Sequence, residues 1–269
     1  TLINNPWTAT PGNATSLKWH TVGTTDYNIT RGNNVWAQED RNDNNGIGVA
    51  ATSTTTPDLT FNFVPNFTVV ATQTTPVQNQ QFNITNLFYW NNLAHDITYR
   101  YGFDEVAGNF QDDNQGRGGA GNDHVNADAQ DGGGTNNANF STPADGQSGR
   151  MQMYLWSGSP QKDGDVDNGV IVHEFGHGIS NRLTGGPSQS GCLSSAEQMG
   201  EGWSDYLALM TTTDWKIATV NDGTIARTLG TYVMGQETSG GGIRNFPYTT
   251  DVGINPWSYA DMAATGGES

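Results

Sequence analysis

The sequence predicts an α+β protein, with a β-rich N-terminal lobe over residues 1–165 and a helical part over residues 166–269 that carries a metal site. Three observations predict it. The stretch "LTFNFVPNFTVVATQ" alternates apolar and polar residues with the period of two that marks a half-buried strand. In "ITNLFYWNNLAHDITYRYGF", Ile84, Leu87, Phe88, Leu93, Ile97 and Tyr101 recur at helical spacing until Gly102 stops the pattern. Two later helical segments, about 168–183 and 195–213, place histidines and acids one turn apart.

The elements follow in order. Residues 1 to about 80 mix short β-branched and aromatic runs with Gly, Asn and Pro, which reads as a β region. A long helix covers about 84–101. From Asp104 to Gly149 the chain is dominated by Gly, Asn and Asp. A compact domain rarely carries so long an irregular stretch unless its loops bind metal or substrate. "RMQMYLW", residues 150–156, reads as a strand. The helix over 168–183 starts at Asp167 or Asn168, either of which can accept first-turn N–H groups, and Gly185-Gly186-Pro187 ends it. Short strands and turns follow the last helix, and no internal repeat is evident.

Composition removes several classes of function. No apolar run among the 269 residues has the length a membrane span needs. Acids outnumber Lys and Arg 27 to 11, for a formal charge of −16, and no basic cluster could neutralise phosphates, so nucleic acid is excluded as the expected partner. An acidic, loop-rich surface suits a secreted protein that binds calcium. The single cysteine, Cys192, forms no internal disulfide and does not report the compartment. The opening "TLINNPW" has no charged and apolar leader, so a signal peptide or pro-segment is expected to have been removed already.

The chemistry concentrates in "VIVHEFGHG", residues 170–178. At 3.6 residues per turn, His173 and His177 present two imidazoles to one point, and Glu174 lies about 100° round the helix, near that point but not at it. This is the H-E-x-x-H arrangement, in which two histidines bind zinc and the glutamate acts on water. Catalytic zinc takes a third protein ligand and keeps a fourth position open. A further histidine six residues on, preceded by a glycine, would supply it in one zinc-protease class, but Ser180 and Leu183 stand at those positions. Downstream, "SSAEQMGEGWSDYLALM" offers Glu197, Glu201 and Asp205 on one helical face. If Glu201 binds the metal, Asp205, one turn on, is placed to accept the outer N–H of a ligating histidine. Glu197 has another use, as the acid of an S-x-x-E capping box with Ser194.

Six stretches in order, "ITRGNNVWAQED", "FYWNNLAHDITYRYGF", "NNANFSTPADGQSGRMQMYLW", "DNGVIVHEFGHGISNRLTGGP", "MGEGWSDYLALM" and "GIRNFPYTTD", resemble the fungalysin family of secreted zinc metalloendopeptidases, relatives of the thermolysin-like enzymes. The resemblance implies a thermolysin-like zincin fold. It implies that His173, His177 and Glu201 ligate one catalytic zinc, that Glu174 is the general base, and that Asp205 supports the ligands. It also implies that "NNANF" is an edge strand pairing with extended substrate, with Asn137 and Ala138 as the contacts and Asn136 or Asn139 as substitutes. The substrates would be polypeptides cleaved at internal bonds.

Family catalytic domains continue past the equivalent of Ser269 through a further helical lobe carrying an oxyanion-stabilising histidine, which His20, His95 and His124 do not match. The resemblance therefore implies an incomplete C-terminal lobe, with the chain's own cleaved pro-segment or a C-terminal fragment as a candidate second chain. Calcium is a further candidate ligand. "DGDVDN", Asp163 to Asn168, sets acids at alternate positions, and Asp104, Glu105, Asp112 and Asp113 form a second acidic group. The rival reading is a catalytically silent binding or adhesion module on the same fold, stabilised by calcium.

Overall fold

The computed structural model describes residues 3–68, 79–195 and 198–261. Its centre is a five-stranded mixed sheet built from β3 (Val35–Glu39), β4 (Val125–Thr135), β5 (Ala138–Ser141), β6 (Arg150–Trp156) and β7 (Lys162–Asp163). A two-stranded hairpin of β1 (Thr21–Val22) and β2 (Thr25–Asp26) stands apart. The order is β3-β4-β6-β5, with β7 also on β6; β3, β4 and β6 are parallel, and β5 and β7 run antiparallel to β6. β5 is thus an edge strand. Three helices complete the fold: α1 (Gln80–Arg100), α2 (Asn168–Thr184) and α3 (Gly200–Thr211). The mixture of helices and sheet agrees with the predicted α+β class.

One apolar core joins these elements. Ile84, Leu87 and Phe88 of α1, Ala127 and Ala129 of β4, Met151 and Met153 of β6, and Ile171 and Phe175 of α2 are buried together. At about 25 cal/mol per Å² of apolar surface removed from water, each of the larger side chains contributes about 1.5–3 kcal/mol. α1 starts four residues before its predicted limit, because Gln80 to Asn83 continue the helix from Asn79.

Two expectations change. The period-two stretch "LTFNFVPNF" forms no strand over residues 59–67, and residues 69–73 lie outside the described residues. Its alternation is nonetheless used, since Phe61 and Phe63 pack on the core. Periodicity reported burial here, not strand pairing, and Pro65 has no N–H to donate to a ladder. Conversely, the stretch expected to be irregular from Asp104 to Gly149 contains β4 and β5. β4 escapes an apolar-pattern reading because Asp128, Gln130 and Asp131 are buried on polar partners.

α3 also begins later than the predicted 195. Gly200 opens it, its N–H held by the side chain of Gln198 two residues back. The capping box from Ser194 to Glu197 lies outside the described residues at Glu197.

Candidate metal centre

α2 carries the histidines on a buried helix. Asp167 caps it through Val170 N–H and holds Val233 N–H with its other oxygen, so the start of the helix is fixed to the C-terminal part of the chain. Val170, Ile171 and Phe175 drive the burial, and His173 and Glu174 are only 6% and 5% exposed. α3 crosses α2 at Gly176, where a methyl group would lie 2.9 Å from the backbone Cα of Ser204. That close approach delivers Glu201 to the histidines.

Three side chains converge. His173 Nε2 and His177 Nε2 are 3.0 Å apart. Glu201 reaches them with Oε2 at 3.2 Å from His173 and Oε1 at 3.3 Å from His177. The outer nitrogen of His173, Nδ1, lies 2.6 Å from Asp205 Oδ1, which as a carboxylate can only accept. Nδ1 therefore carries a hydrogen, so that when the ring is neutral it is Nε2 that turns a lone pair toward His177 and Glu201. A tetrahedral zinc with bonds of about 2.0 Å sets its donor atoms about 3.3 Å apart, so the spacing and the N, N, O donor set both fit that ion.

The electrostatics agree with a cation at this point. Burial opposes charge on His173, but hydrogen bonds to Asp205 and Glu201 and the nearby Glu174 outweigh it and raise its pKa to about 9. Hydrogen bonds from the two histidines hold Glu201 far below the usual carboxylate range. Asp205 is lowered to about 2, its burial being outweighed by contacts with His173, Arg244 and Tyr248. Glu174 is pushed up by burial, and its Oε2 is buried without a hydrogen-bond partner.

Two further residues join the site. Arg244 donates from Nε to Asp205 Oδ2 at 2.6 Å, and from Nη2 to Asp205 Oδ1 at 2.9 Å and Glu201 Oε2 at 3.0 Å. Tyr248 donates its hydroxyl to Asp205 Oδ2. Backbone hydrogen bonds Ile243 to Leu229 and Arg227 to Tyr248 fold residues 227–248 back so that both side chains reach α3. Sequence reasoning assigned neither, although both lie in the quoted stretch "GIRNFPYTTD".

The centre opens into a cleft. Asn137, Ala138 and Asn139 line it from the β5 side, and His173, Glu174 and Glu201 from the helices. Ala138 is the first residue of β5, and Asn137 precedes it. Asn136 instead turns away, with φ of 58° and its side chain accepting from Ser157 N–H. His20, His95 and His124 lie elsewhere: His20 is stacked between Phe61 and Phe88, His95 bonds Asp96 and Gln111, and His124 bonds Asp112.

Most of the acids considered for calcium have partners of their own, and Asp163 and Asp165 also contact each other. Asp163 accepts from Asn83 and Gln130, Asp167 caps α2, Glu105 binds Arg117, and Asp112 binds His124. Among the described residues, three acids from either stretch do not meet at a common point.

A model of fungalysin metallopeptidases matches residues 1–268. The chain belongs to the fungalysin family. Similar proteins include extracellular metalloproteinase 2 of Trichophyton tonsurans and of Arthroderma benhamiae, each 44% identical over 265 residues. Extracellular metalloproteinase MEP of Fusarium vanettenii is 42% identical over 272 residues. These alignments cover 97–99% of this chain but 40% of each relative, so the chain spans about 40% of the length of the curated relatives it matches. As a fungalysin, it is a metallopeptidase-family chain, and the family implies zinc. Among the described residues, no helix is long and apolar enough to cross a membrane.

Proposed function

We propose that this fungalysin chain carries the metal ligands and proton-transfer group of a secreted zinc endopeptidase. The observation that carries the proposal is the convergence of His173 Nε2, His177 Nε2 and the Glu201 carboxylate within 3.3 Å of one another, beside the edge of a sheet. In this reading those three residues hold one zinc. Bound there, zinc supplies a Lewis acid that polarises a peptide carbonyl and lowers the pKa of water.

The chain's own groups do the rest. Glu174 is one residue from a ligand and lines the same cleft with an unpartnered carboxylate oxygen. Burial makes it a stronger base than a solvated glutamate, suited to take a proton from the attacking water and pass it to the leaving amine. Asp205 holds His173 in the tautomer that presents Nε2, and Arg244 fixes both Asp205 and Glu201. The free edge of β5 offers backbone groups to an extended peptide, with Asn137 and Ala138 as the nearest contacts. Recognition through backbone fits polypeptide substrates of varied sequence. The extracellular names of the relatives support secretion of this chain.

Replacing Glu174 by Gln in the full-length protein tests the reading. Turnover of a denatured protein substrate should fall by about 10² to 10⁴ with zinc content unchanged. Normal turnover with Gln at 174 would overturn the role of Glu174.

A further inference from the structure

A second acidic group is distinct from the histidine centre. Asp40, in the loop after β3, and Asp128 and Asp131, in β4, each place a carboxylate oxygen within 4.8 Å of the others. They are 2%, 0% and 0% exposed. Among the described residues the ion pair made by this trio is that of Arg150 with Asp128 Oδ2. With all three ionised, three carboxylates against one guanidinium leave two negative charges in a buried place. Burying such an excess is costly unless a cation compensates it.

Most of the trio's oxygens have neutral donors. Asp40 accepts the N–H groups of Asn44 and Asn45 at 3.0 and 2.8 Å. Asp131 accepts Gly133 N–H at 2.7 Å and Gln152 Nε2 at 2.8 Å. Asp128 Oδ1 is different, being buried with no well-aligned donor and only the neighbouring Gln38 side chain to offset it. A buried carboxylate oxygen without a well-aligned donor, in a group of three acids beside one guanidinium, calls for a positive ion.

We propose that Asp40, Asp128 and Asp131 bind a hard divalent cation, calcium in preference to magnesium, and that this ion braces the strand leading into the cleft. An all-oxygen carboxylate set selects calcium, magnesium or manganese over zinc. Calcium tolerates irregular oxygen sets with bonds of about 2.3–2.6 Å, which suits carboxylates fixed by a loop and a bulged strand, whereas magnesium demands a near-ideal octahedron. Asp43, exposed beside the trio, adds negative charge close to Asp131, since both flank Gly133.

The location gives the ion a task. The register of β4 on β6 shifts between Asp128 and Asp131 and again before Thr135, so the ladder alone does not hold this part of β4 regularly. Gly132 packs so closely on the Arg41 carbonyl that a methyl group there would lie 2.2 Å from the oxygen. An ion shared by Asp40 and Asp131 would tie the loop to the bulged strand at this contact. Three residues beyond Thr135, β5 begins with Ala138 at the cleft.

Calcium titration of the zinc-loaded protein, freed of other divalent ions, tests the proposal. The wild-type protein should take up calcium, and Asp131→Asn should bind one equivalent fewer. Calcium at about 100 times its dissociation constant should raise the thermal midpoint of the wild-type protein by several degrees, and that of Asp131→Asn by less. Should Asp131→Asn fail to fold, Asp43→Asn, an exposed change, should retain the equivalent and bind it severalfold more weakly. No calcium uptake by the wild-type protein would overturn the proposal and leave shared protons as the source of compensation. So would equal calcium stoichiometry with Asn at 131, or unchanged affinity with Asn at 43. Magnesium binding as tight as calcium would overturn the choice of ion.

Discussion

His173 Nδ1 and Asp205 Oδ1 meet at 2.6 Å across the packing of α2 on α3, and Asp205 in turn takes two hydrogen bonds from Arg244 and one from Tyr248. One carboxylate thus links α2 to the segment that folds back from residue 227. It fixes the His173 ring by its outer edge, and so sets where Nε2 points.

Replacing Asp205 by Asn should therefore reduce zinc affinity about 10–100-fold, the usual cost of losing a ligand's outer partner. The amide can still meet Nδ1 but no longer carries the charge that favours the bound form and neutralises Arg244. Competition with a chelator of known affinity measures the change, and circular dichroism checks that the fold persists. Unaltered affinity would mean that the contact merely fills space.

Arg244 should not be replaceable by lysine. Its fork reaches both oxygens of Asp205 and one of Glu201, and an ammonium is a point charge that cannot span them. Arg244→Lys is expected to weaken zinc retention roughly tenfold, the low end of such effects, because the positive charge survives while the geometry is lost. The same competition assay applies, and equal retention by the two proteins would count against a positioning role.

What could be read from the sequence follows from how local each signal is. His173, Glu174 and His177 lie within five residues on one helix, and Asp205 is one turn from Glu201, so helical periodicity brings each set together. Arg244 and Tyr248 reach Asp205 only because two backbone bridges fold a turn-rich segment back, and no period records that. The trio of Asp40, Asp128 and Asp131 joins parts of the chain about 90 residues apart through the parallel pairing of β3 with β4, which is equally silent in sequence. Strand prediction succeeded at residues 150–156 but failed at residues 59–67 and at β4 for a related reason. Residues 59–67 alternate without a partner strand, and β4 has a partner on each side but hides its pattern behind buried acids.

His20 gives a pH dependence separate from the metal centre. Burial between Phe61 and Phe88 lowers its pKa from 6.5 to about 4, against hydrogen bonds to backbone that favour the charged ring. The unfolded chain therefore binds a proton between pH 6.5 and 4 that the folded chain refuses. The contribution is fully present above pH 6.5 and is lost as pH falls toward 4. By pH 4.5 the loss should reach about 2 kcal/mol. His20→Phe keeps the stack and removes the proton, so denaturant unfolding at pH 7 and 4.5 should show that much less change for the variant. Parallel losses in both proteins would exclude His20 as the source.

Two glycines should respond to alanine in opposite directions. Gly176 lies inside H-E-x-x-H, where glycine costs about 1 kcal/mol of helix propensity relative to alanine, so its presence needs a packing reason. The reason is α3: an added Cβ would stand 2.8 Å from Ser204 Oγ and 2.9 Å from Ser204 Cα, and backbone cannot rotate away as a side chain can. Ser204 lies between Glu201 and Asp205, so pushing α3 outward moves both away from the histidines. Gly176→Ala should cost about 1–3 kcal/mol in stability despite its better propensity, and should lower zinc affinity as well. Gly202, on α3, has nothing within 4 Å of its added Cβ. Gly202→Ala should therefore stabilise by about 0.5–1 kcal/mol and leave zinc affinity unchanged. Thermal unfolding and chelator competition on the two variants separate propensity from helix approach. If Gly176→Ala stabilised the protein, the close crossing of α2 and α3 would not be what sets the third ligand in place.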